Sequence, residues 1–322
     1  MEKIKANTGQ RWLITGAGGL LGRELRERSR ARPDLEIIAL DRAALDILDG
    51  DAVAEALHAL ECDIVINCAA WTNANTAEAH EPEALILNAH AVRGLAAACA
   101  TVNAKLVHIS TDYVFGGQAN EPYGEYDPTG PVNAYGRTKL LGERAVLEVL
   151  PRTGYIIRTA WVYGLHGRNF IDTMLTLERT RDTIEVVEDQ VGQPTWSADL
   201  ADRIIEIDYD RAPAGIYHGT NAGEATWWEL ARETFRAVGA DPDRVRPIRT
   251  ADRNDPAPRP SYSVLGHDRW QVAGMAPLRH WRTALSAALP ELIAQNSLAA
   301  SSAVTASSAS RSARSVAIKP ST

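Results

Sequence analysis

The stretch that decides the fold is Arg11-Trp-Leu-Ile-Thr-Gly-Ala-Gly-Gly-Leu-Leu-Gly22. Arg11–Thr15 reads as a strand of nearly continuous apolar character, the pattern of a strand covered on both faces. Gly16, Gly19 and Gly22 follow in G-x-x-G-x-x-G spacing, and a helical pattern opens at Leu20. Glycines there permit a tight turn and close backbone approach, and the helix start presents free N–H groups to a pyrophosphate. A glycine triplet alone is weak evidence; its position between a strand and a helix is what gives it weight.

Working outward, the same rhythm repeats. Glu36–Asp41, Asp63–Asn67, Leu106–Thr111 and Tyr155–Thr159 read as further strands. Helical patterns separate them: Leu20 to about Ala31, Gly50–Leu60, Glu83 to about Val102, and Ala134–Leu150. Strand–helix–strand alternation predicts an α/β fold, a doubly wound parallel Rossmann sheet. Past residue 165 the strands shorten, and Pro and Gly become more frequent. Thr226-Trp-Trp-Glu229 has capping-box spacing and opens a helix that Gly239 can end. Pro256, Pro258 and Pro260 predict a stiff connector, and a last helix is expected from Pro277 to about Ile293. The expected organisation is an extension over 1–10, a dinucleotide-binding Rossmann domain over 11–165, a stretch over 166–295 that is mainly a smaller C-terminal α+β substrate lobe, and a disordered Ser/Ala-rich tail over 296–322.

Composition narrows the function. The 322 residues carry a net charge of −7, with 45% hydrophobic and 23% charged residues, the balance of a globular protein without the basic field that attracts nucleic acid. No run of about 18 apolar residues is present, so no membrane span is expected. Met1–Gln10 is polar, so no secretion signal is expected, and a cytoplasmic location fits. Three cysteines, Cys62, Cys68 and Cys99, without CxxC spacing argue against a disulfide framework or structural zinc. The eight histidines show no HExxH or His-x-His spacing, so no metal is expected.

Three features carry chemistry. Asp41 ends the second strand about 20 residues after the glycine loop, where an acid can bond a ribose hydroxyl. Arg42 beside it could instead meet a 2′-phosphate, which leaves NADH and NADPH both open. Asp46-Ile47 lies where an adenine could be held, and Asn67-Cys-Ala-Ala70 offers small side chains against which a cofactor can lie. Ser110-Thr111-Asp112 ends the fourth strand at the carboxyl edge of the sheet, where a hydroxyl can bond a substrate carbonyl. Tyr135-Gly-Arg-Thr-Lys139 places a phenol and an amine one helical turn apart, and a nearby ammonium would lower the phenol's pKa. The chain has only five lysines, Lys3, Lys5, Lys105, Lys139 and Lys319, so this spacing is less easily accidental.

These segments resemble extended short-chain dehydrogenase/reductases. More closely, Trp12–Gly22, Asn67–Ala70, Ser110–Phe115, Pro131–Lys139, Arg158–Gly164, Asn169-Phe170 and Asp189–Thr195 resemble the dTDP-4-dehydrorhamnose reductase family, over about residues 11–290. The resemblance implies an NADPH- or NADH-dependent reductase acting on a dTDP-linked 4-keto-6-deoxyhexose. It implies catalytic roles for Thr111, Tyr135 and Lys139. It implies cofactor contacts for Gly16, Gly19, Leu20, Leu21, Gly22, Asp41, Arg42, Asp46, Ile47, Ala69, Ala70, Trp71, Thr72, Tyr135 and Lys139. Substrate contacts fall on Asn75, Thr111, Asp112, Trp161 and Asn169, and association into a homodimer is left open.

One departure stands out: Asn75 occupies a position where the family usually carries a carboxylate. A related antibiotic-sugar reductase, such as a dihydrostreptose synthase, therefore stays open as an alternative. So does a non-catalytic regulatory subunit resembling that of methionine adenosyltransferase. A 4,6-dehydratase is disfavoured because Tyr113 stands where those enzymes carry glutamate. A 4-epimerase, needing only Tyr and Lys, is slightly more open.

Overall fold

The computed structural model describes residues 9–313, with side chains described as far as Leu298. The first half runs β1 (Gln10–Thr15), α1 (Leu20–Arg28), β2 (Leu35–Leu40), α2 (Gly50–Leu60), β3 (Ile64–Asn67), α3 (Ala74–Ala79), α4 (Glu81–Leu85), α5 (Ala91–Val102), β4 (Lys105–Thr111), α6 (Ala134–Val149) and β5 (Gly154–Thr159). Then come β6 (Val162–Tyr163), α7 (Phe170–Thr180), β7 (Ile184–Val187), β8 (Val191–Gly192), β9 (Thr195–Trp196), α8 (Ser197–Glu206) and β10 (Gly215–His218). Five of these strands match the expected ones to within a residue.

The central sheet has six parallel strands in the order β2-β1-β3-β4-β5-β10. The winding reverses between β1 and β3, and the glycine loop leaves β1 at that reversal, where open α/β sheets bind ligands. Trp12, Ile14, Ile64 and Ile66 face a core shared with Leu25 of α1 and Leu200 and Ile204 of α8. Leu13, Val65, Leu106 and Ile156 face the opposite core, with Val53, Leu57, Val92, Leu95 and Val146 of the helices. Each strand is thus apolar on both sides, which is why its sequence does not alternate.

Local chemistry sets the helix ends. Asp49, Asn133 and Asn169 each accept a backbone N–H at the start of α2, α6 and α7. The expected capping box forms at α9 (Trp227–Ala237), with Thr226 and Glu229 bonded reciprocally.

Four sequence expectations shift. The boundary at 165 does not separate the lobes cleanly, because α8, β10 and α10 (Asp268–Val272) return to the sheet side. The helical stretch expected from Glu83 breaks into α4, a π-helical turn over Ile86–His90 and α5. Glu81–Val102 is long and apolar enough to cross a membrane, with a mean hydropathy of 1.4. Its Val92, Leu95, Ala96 and Cys99 are nevertheless buried in the sheet's core, which accounts for the apolarity. The final helix, α11, starts at Trp281 because Leu278–His280 forms a short strand, and it then runs to Ala313. The tail expected to be disordered from Asn296 is therefore helical through Ala313, consistent with the helix propensity of its many alanines. Residues 314–322, and the extension over 1–8, lie outside the described residues.

Beneath α6 the sheet carries a buried ion pair. The Arg158 guanidinium of β5 grips the Glu143 carboxylate of α6 at 2.9 and 2.7 Å, both side chains being 2% exposed. Ser110 donates to the same carboxylate at 2.5 Å. Glu143→Ala is expected to cost about 3–5 kcal/mol, because it strands a buried guanidinium. Urea unfolding monitored by circular dichroism measures this cost.

Candidate active site

The strand ends and the smaller lobe enclose a cleft of about 790 Å³. One wall is the start of α1. Gly16 turns the chain at φ +67°, and Gly22 packs so close to it that a Cβ would stand 2.6 Å from the Gly16 carbonyl oxygen. Gly19 caps α1 without a side-chain bond, and the first turn holds no acidic residue. Gly19, Leu20, Leu21 and Gly22 line the cleft. The free N–H groups and positive helix end thus face the cavity, as a pyrophosphate requires. At the end of β5 the buried Thr159 hydroxyl lines the cleft without a partner, one more polar group available to a ligand. On both counts the residues fit a dinucleotide.

The floor is built from β4 and α6. Thr111, Asp112, Tyr135 and Lys139 all line it, so the structure unites the residues singled out in sequence. The Thr111 hydroxyl donates to Asp112 Oδ1 at 3.0 Å and accepts the Tyr113 N–H at 3.1 Å. The Tyr113 ring packs edge-on against Tyr135, with centroids 5.8 Å apart. Burial pushes the Asp112 carboxyl up to about 6, against the bonds from Ser263, at 2.6 Å, and Thr111.

The expected lowering of the phenol by its lysine does not occur. Burial raises Tyr135 above the ordinary phenol value, and Lys139 is not among the groups acting on it. Lys139 Nζ turns to the sheet instead, donating to the Ile109 carbonyl at 2.6 Å and meeting His108 Nε2 at 3.0 Å. Burial brings the Lys139 ammonium down to about 8.

Of the remaining expected cofactor residues, Asp41, Arg42, Asp46, Ile47, Ala69 and Trp71 are outside the cleft lining. Asp41 Oδ1 accepts the N–H groups of Ala43 and Ala44. Arg42 pairs with Asp46 at 3.0 Å, and Ile47 is buried in the core. Ala69 and Trp71 bond through their backbones to Asn67 and Asn88, while Ala70 and Thr72 line the cleft.

Of the expected substrate residues, Asn169 is not in the cleft lining. Its amide caps α7 and bonds the Gly164 carbonyl at 2.8 Å, which occupies both ends of the side chain. Trp161 does line the cleft, at a left-handed φ of +46°, a conformation found at constrained functional positions. Its ring stacks on Trp227 at 3.6 Å, so Trp227 also lines the cleft and the Trp227-Trp228 pair is split between two roles. Asn75 lines the cleft and accepts from Arg259 at 2.9 Å. The sequence reading missed Arg168, Arg253, Asp255 and Arg259, which complete the wall from the smaller lobe. Isolated arginines give no local signal, and only the fold gathers them.

With this geometry in place, comparison with known proteins is decisive. The model of the RmlD substrate binding domain matches residues 10–294. The chain belongs to that family. It is 53% identical over 286 residues to a dTDP-4-dehydrorhamnose reductase of Streptomyces griseus, covering 88% of this chain and 94% of that protein. It is 50% identical over 287 residues to a dTDP-4-keto-6-deoxy-D-glucose reductase of Streptomyces niveus, covering 89% and 99%. The crystal structure of dTDP-4-dehydrorhamnose reductase from Bacillus anthracis in complex with NADP superposes with a TM-score of 0.84 at 36% identity, covering 88% of this chain and 99% of that one.

Gly22→Ala forces a Cβ against the Gly16 carbonyl. It is expected to weaken binding of a nicotinamide dinucleotide by at least about tenfold in a fluorescence titration, with the circular dichroism spectrum unchanged.

Proposed function

We propose that the protein reduces the C4 ketone of a dTDP-4-dehydro-6-deoxyhexose, with dTDP-4-dehydro-L-rhamnose as substrate and dTDP-L-rhamnose as product. The observation that carries this reading is the placement of Thr111 and Tyr135 together on the floor of a cleft whose wall is the open start of α1. A dinucleotide needs that wall, and a carbonyl being reduced needs that pair.

Gly19, Leu20, Leu21 and Gly22 would hold the pyrophosphate of NADPH or NADH, and Thr159 offers a further hydroxyl. When bound, the cofactor supplies hydride. The chain itself handles the proton. With substrate bound, the Thr111 hydroxyl would turn its one proton from Asp112 to the ketone oxygen, and the Tyr135 phenol proton passes to that oxygen as it becomes an alkoxide. Burial keeps the phenol protonated before reaction, which suits a proton donor. Asp112, tied to Ser263 of the smaller lobe, orients Thr111 and joins the two walls. The stacked Trp161 and Trp227 rings give the sugar nucleotide an apolar wall. Arg168, Arg253 and Arg259 supply positive charge for its diphosphate.

A second reading concerns only the sugar. Asn75 spends its carbonyl oxygen on Arg259 and the Ala257 N–H, so it is not an open acceptor for a sugar hydroxyl. The named activities of the S. niveus and S. griseus relatives differ in the sugar. A related 4-keto sugar of antibiotic synthesis therefore remains the alternative substrate. We place the reaction in the cytoplasm, in keeping with the free thiols of all three cysteines.

Tyr135→Phe is expected to lower kcat by about 10²–10⁴-fold, with cofactor affinity retained. NADPH oxidation with dTDP-4-dehydro-L-rhamnose, with the product identified by NMR, measures it. A variant retaining near-normal kcat would remove Tyr135 as proton donor. Cofactor binding by the unaltered protein without any turnover would favour a regulatory subunit.

A further inference from the structure

We infer that Gly192 is a positioning residue for Trp161: it leaves the space in which the indole is clamped between the β8 backbone and the Trp227 ring, so that the indole meets a sugar nucleotide with its N–H edge and not with a face. The inference deepens the function proposed above, and it rests on that reading for the ligand.

The clamp follows from distances. The Trp161 and Trp227 rings are stacked, with centroids 3.6 Å apart and planes 12° from parallel. A Cβ built on Gly192 would stand 2.7 Å from both Cε2 and Cζ2 of Trp161 and 3.0 Å from its Nε1. A point in the ring plane beyond those two carbons would lie nearer to Nε1 than to either, so the glycine stands over the face of the ring. Trp227 is not among the atoms nearest that Cβ, although its own ring lies against the indole. Gly192 therefore covers the opposite face. Neither face of Trp161 is left for a flat base, and the wall it forms with Trp227 is met edge-on at Trp161.

Both jaws are fixed by local structure. Gly192 pairs antiparallel with Ala225 in the short strand Ala225–Thr226. Trp227 follows that strand directly as the first residue of α9, and the capping box of Thr226 and Glu229 sets the helix start. On the other side of β8, Val191 donates to the Ser261 carbonyl and accepts the Ser263 N–H, each at 2.8 Å. The buried Gln193 side chain bonds Leu265 through both its ends. β8 is thus held where it stands. Trp161 is held as well, at its left-handed φ of +46° and with its carbonyl accepting the Thr195 N–H at 3.2 Å. Gly192 itself does not have a positive φ, so its backbone would accept alanine. What stands in the way of a side chain is the indole.

The edge is what remains. An indole N–H only donates. Trp12, Trp71, Trp228, Trp270 and Trp281 each donate theirs within the fold. Among the described residues the Trp161 N–H meets no acceptor, and Trp161 lines the cleft. The chemistry this fits is an acceptor oxygen, on the pyranose or the diphosphate of a sugar nucleotide.

The test uses the full chain with ¹⁵N-labelled tryptophan. Its eight indole N–H signals are followed by NMR, that of Trp161 being assigned by its absence in Trp161→Phe. Without ligand, Gly192→Ala is expected to move the Trp161 signal and to leave that of Trp12 in place; an unmoved Trp161 signal would overturn the clamp. The unaltered protein is then titrated with dTDP-L-rhamnose and, separately, with dTDP. A Trp161 signal displaced by dTDP supports an acceptor on the diphosphate, and one displaced only by dTDP-L-rhamnose supports an acceptor on the sugar. A signal that stays in place while either ligand binds elsewhere in the spectrum, and moves with neither, would contradict the inference. Gly192→Ala and Trp161→Phe are each expected to weaken dTDP-L-rhamnose binding about three- to tenfold, the contribution of one hydrogen bond, with affinity for NADPH retained. In the Trp161→Phe background, which removes the N–H and shortens the ring, Gly192→Ala is expected to cost less than about twofold. An equal cost in both backgrounds would assign the effect to the strand and overturn the inference. If Gly192→Ala alone fails to fold, folding of the double variant supports the clamp and its failure contradicts it. Absence of binding by both ligands would overturn the reading of the function, and with it the ligand assigned to the indole edge, while the clamp is read separately from the ligand-free spectra.

Discussion

The grip of Arg158 on Glu143 holds the site together. Helix α6 carries Tyr135 and Lys139 on one face, so its rotation about its own axis sets the placement of both side chains at once. Glu143 lies one turn beyond Lys139, where its carboxylate is fastened to β5 through Arg158 and to β4 through Ser110. At the other end, Asn133 caps the helix and donates to the Pro258 carbonyl of the smaller lobe. Burying an ion pair contributes little net stability, since desolvation offsets much of the attraction. Its value here is directional: two strands and a helix are fixed at one carboxylate, directly beneath the reacting groups.

The same low-dielectric floor explains the protonation pattern. Tyr135 and Asp112 are both pushed toward their protonated forms by burial, and Lys139 toward its neutral one. At neutral pH a carboxyl at about 6 and an amine at about 8 still carry charge most of the time, while the phenol keeps its proton. Further charge enters with the ligand, through its phosphates, and is met at the edges by the α1 N-terminus and the arginines of the smaller lobe. The bond between Ser263 and Asp112 makes the smaller lobe part of the catalytic floor as well as its cover.

Much of this was legible in the sequence. Strands covered on both faces leave unbroken apolar runs, so β1–β5 were readable to within a residue, and the glycine spacing placed the ligand edge. Thr111, Tyr135 and Lys139 could be singled out because their segments resemble the family's, and the structure gathers all three on one cleft floor. What was not legible depends on contacts distant in the chain. Asn169 was singled out because its segment resembles the family's, but only the structure shows its amide spent on a helix cap. Lys139 sits one turn from Tyr135 in sequence, which invites a direct effect. The side chain runs to His108 instead, a partner 31 residues away. The return of β10 to the sheet was not legible, because it is a strand of four residues, too short to stand out after a long excursion. The terminal helix was underestimated because a Ser/Ala-rich composition is compatible with both disorder and helix.

The account reduces to one chemical statement: hydride arrives at the sugar's C4 carbon on the cleft floor, and the phenol's proton arrives at the attached oxygen. Reduction with NADPH carrying deuterium on the transferred face of C4 tests it most directly, with the product read by NMR and mass spectrometry. The account predicts one deuterium per turnover, located at C4 of the hexose and retained in one configuration. Deuterium at another carbon, or absent from a converted product, would contradict it.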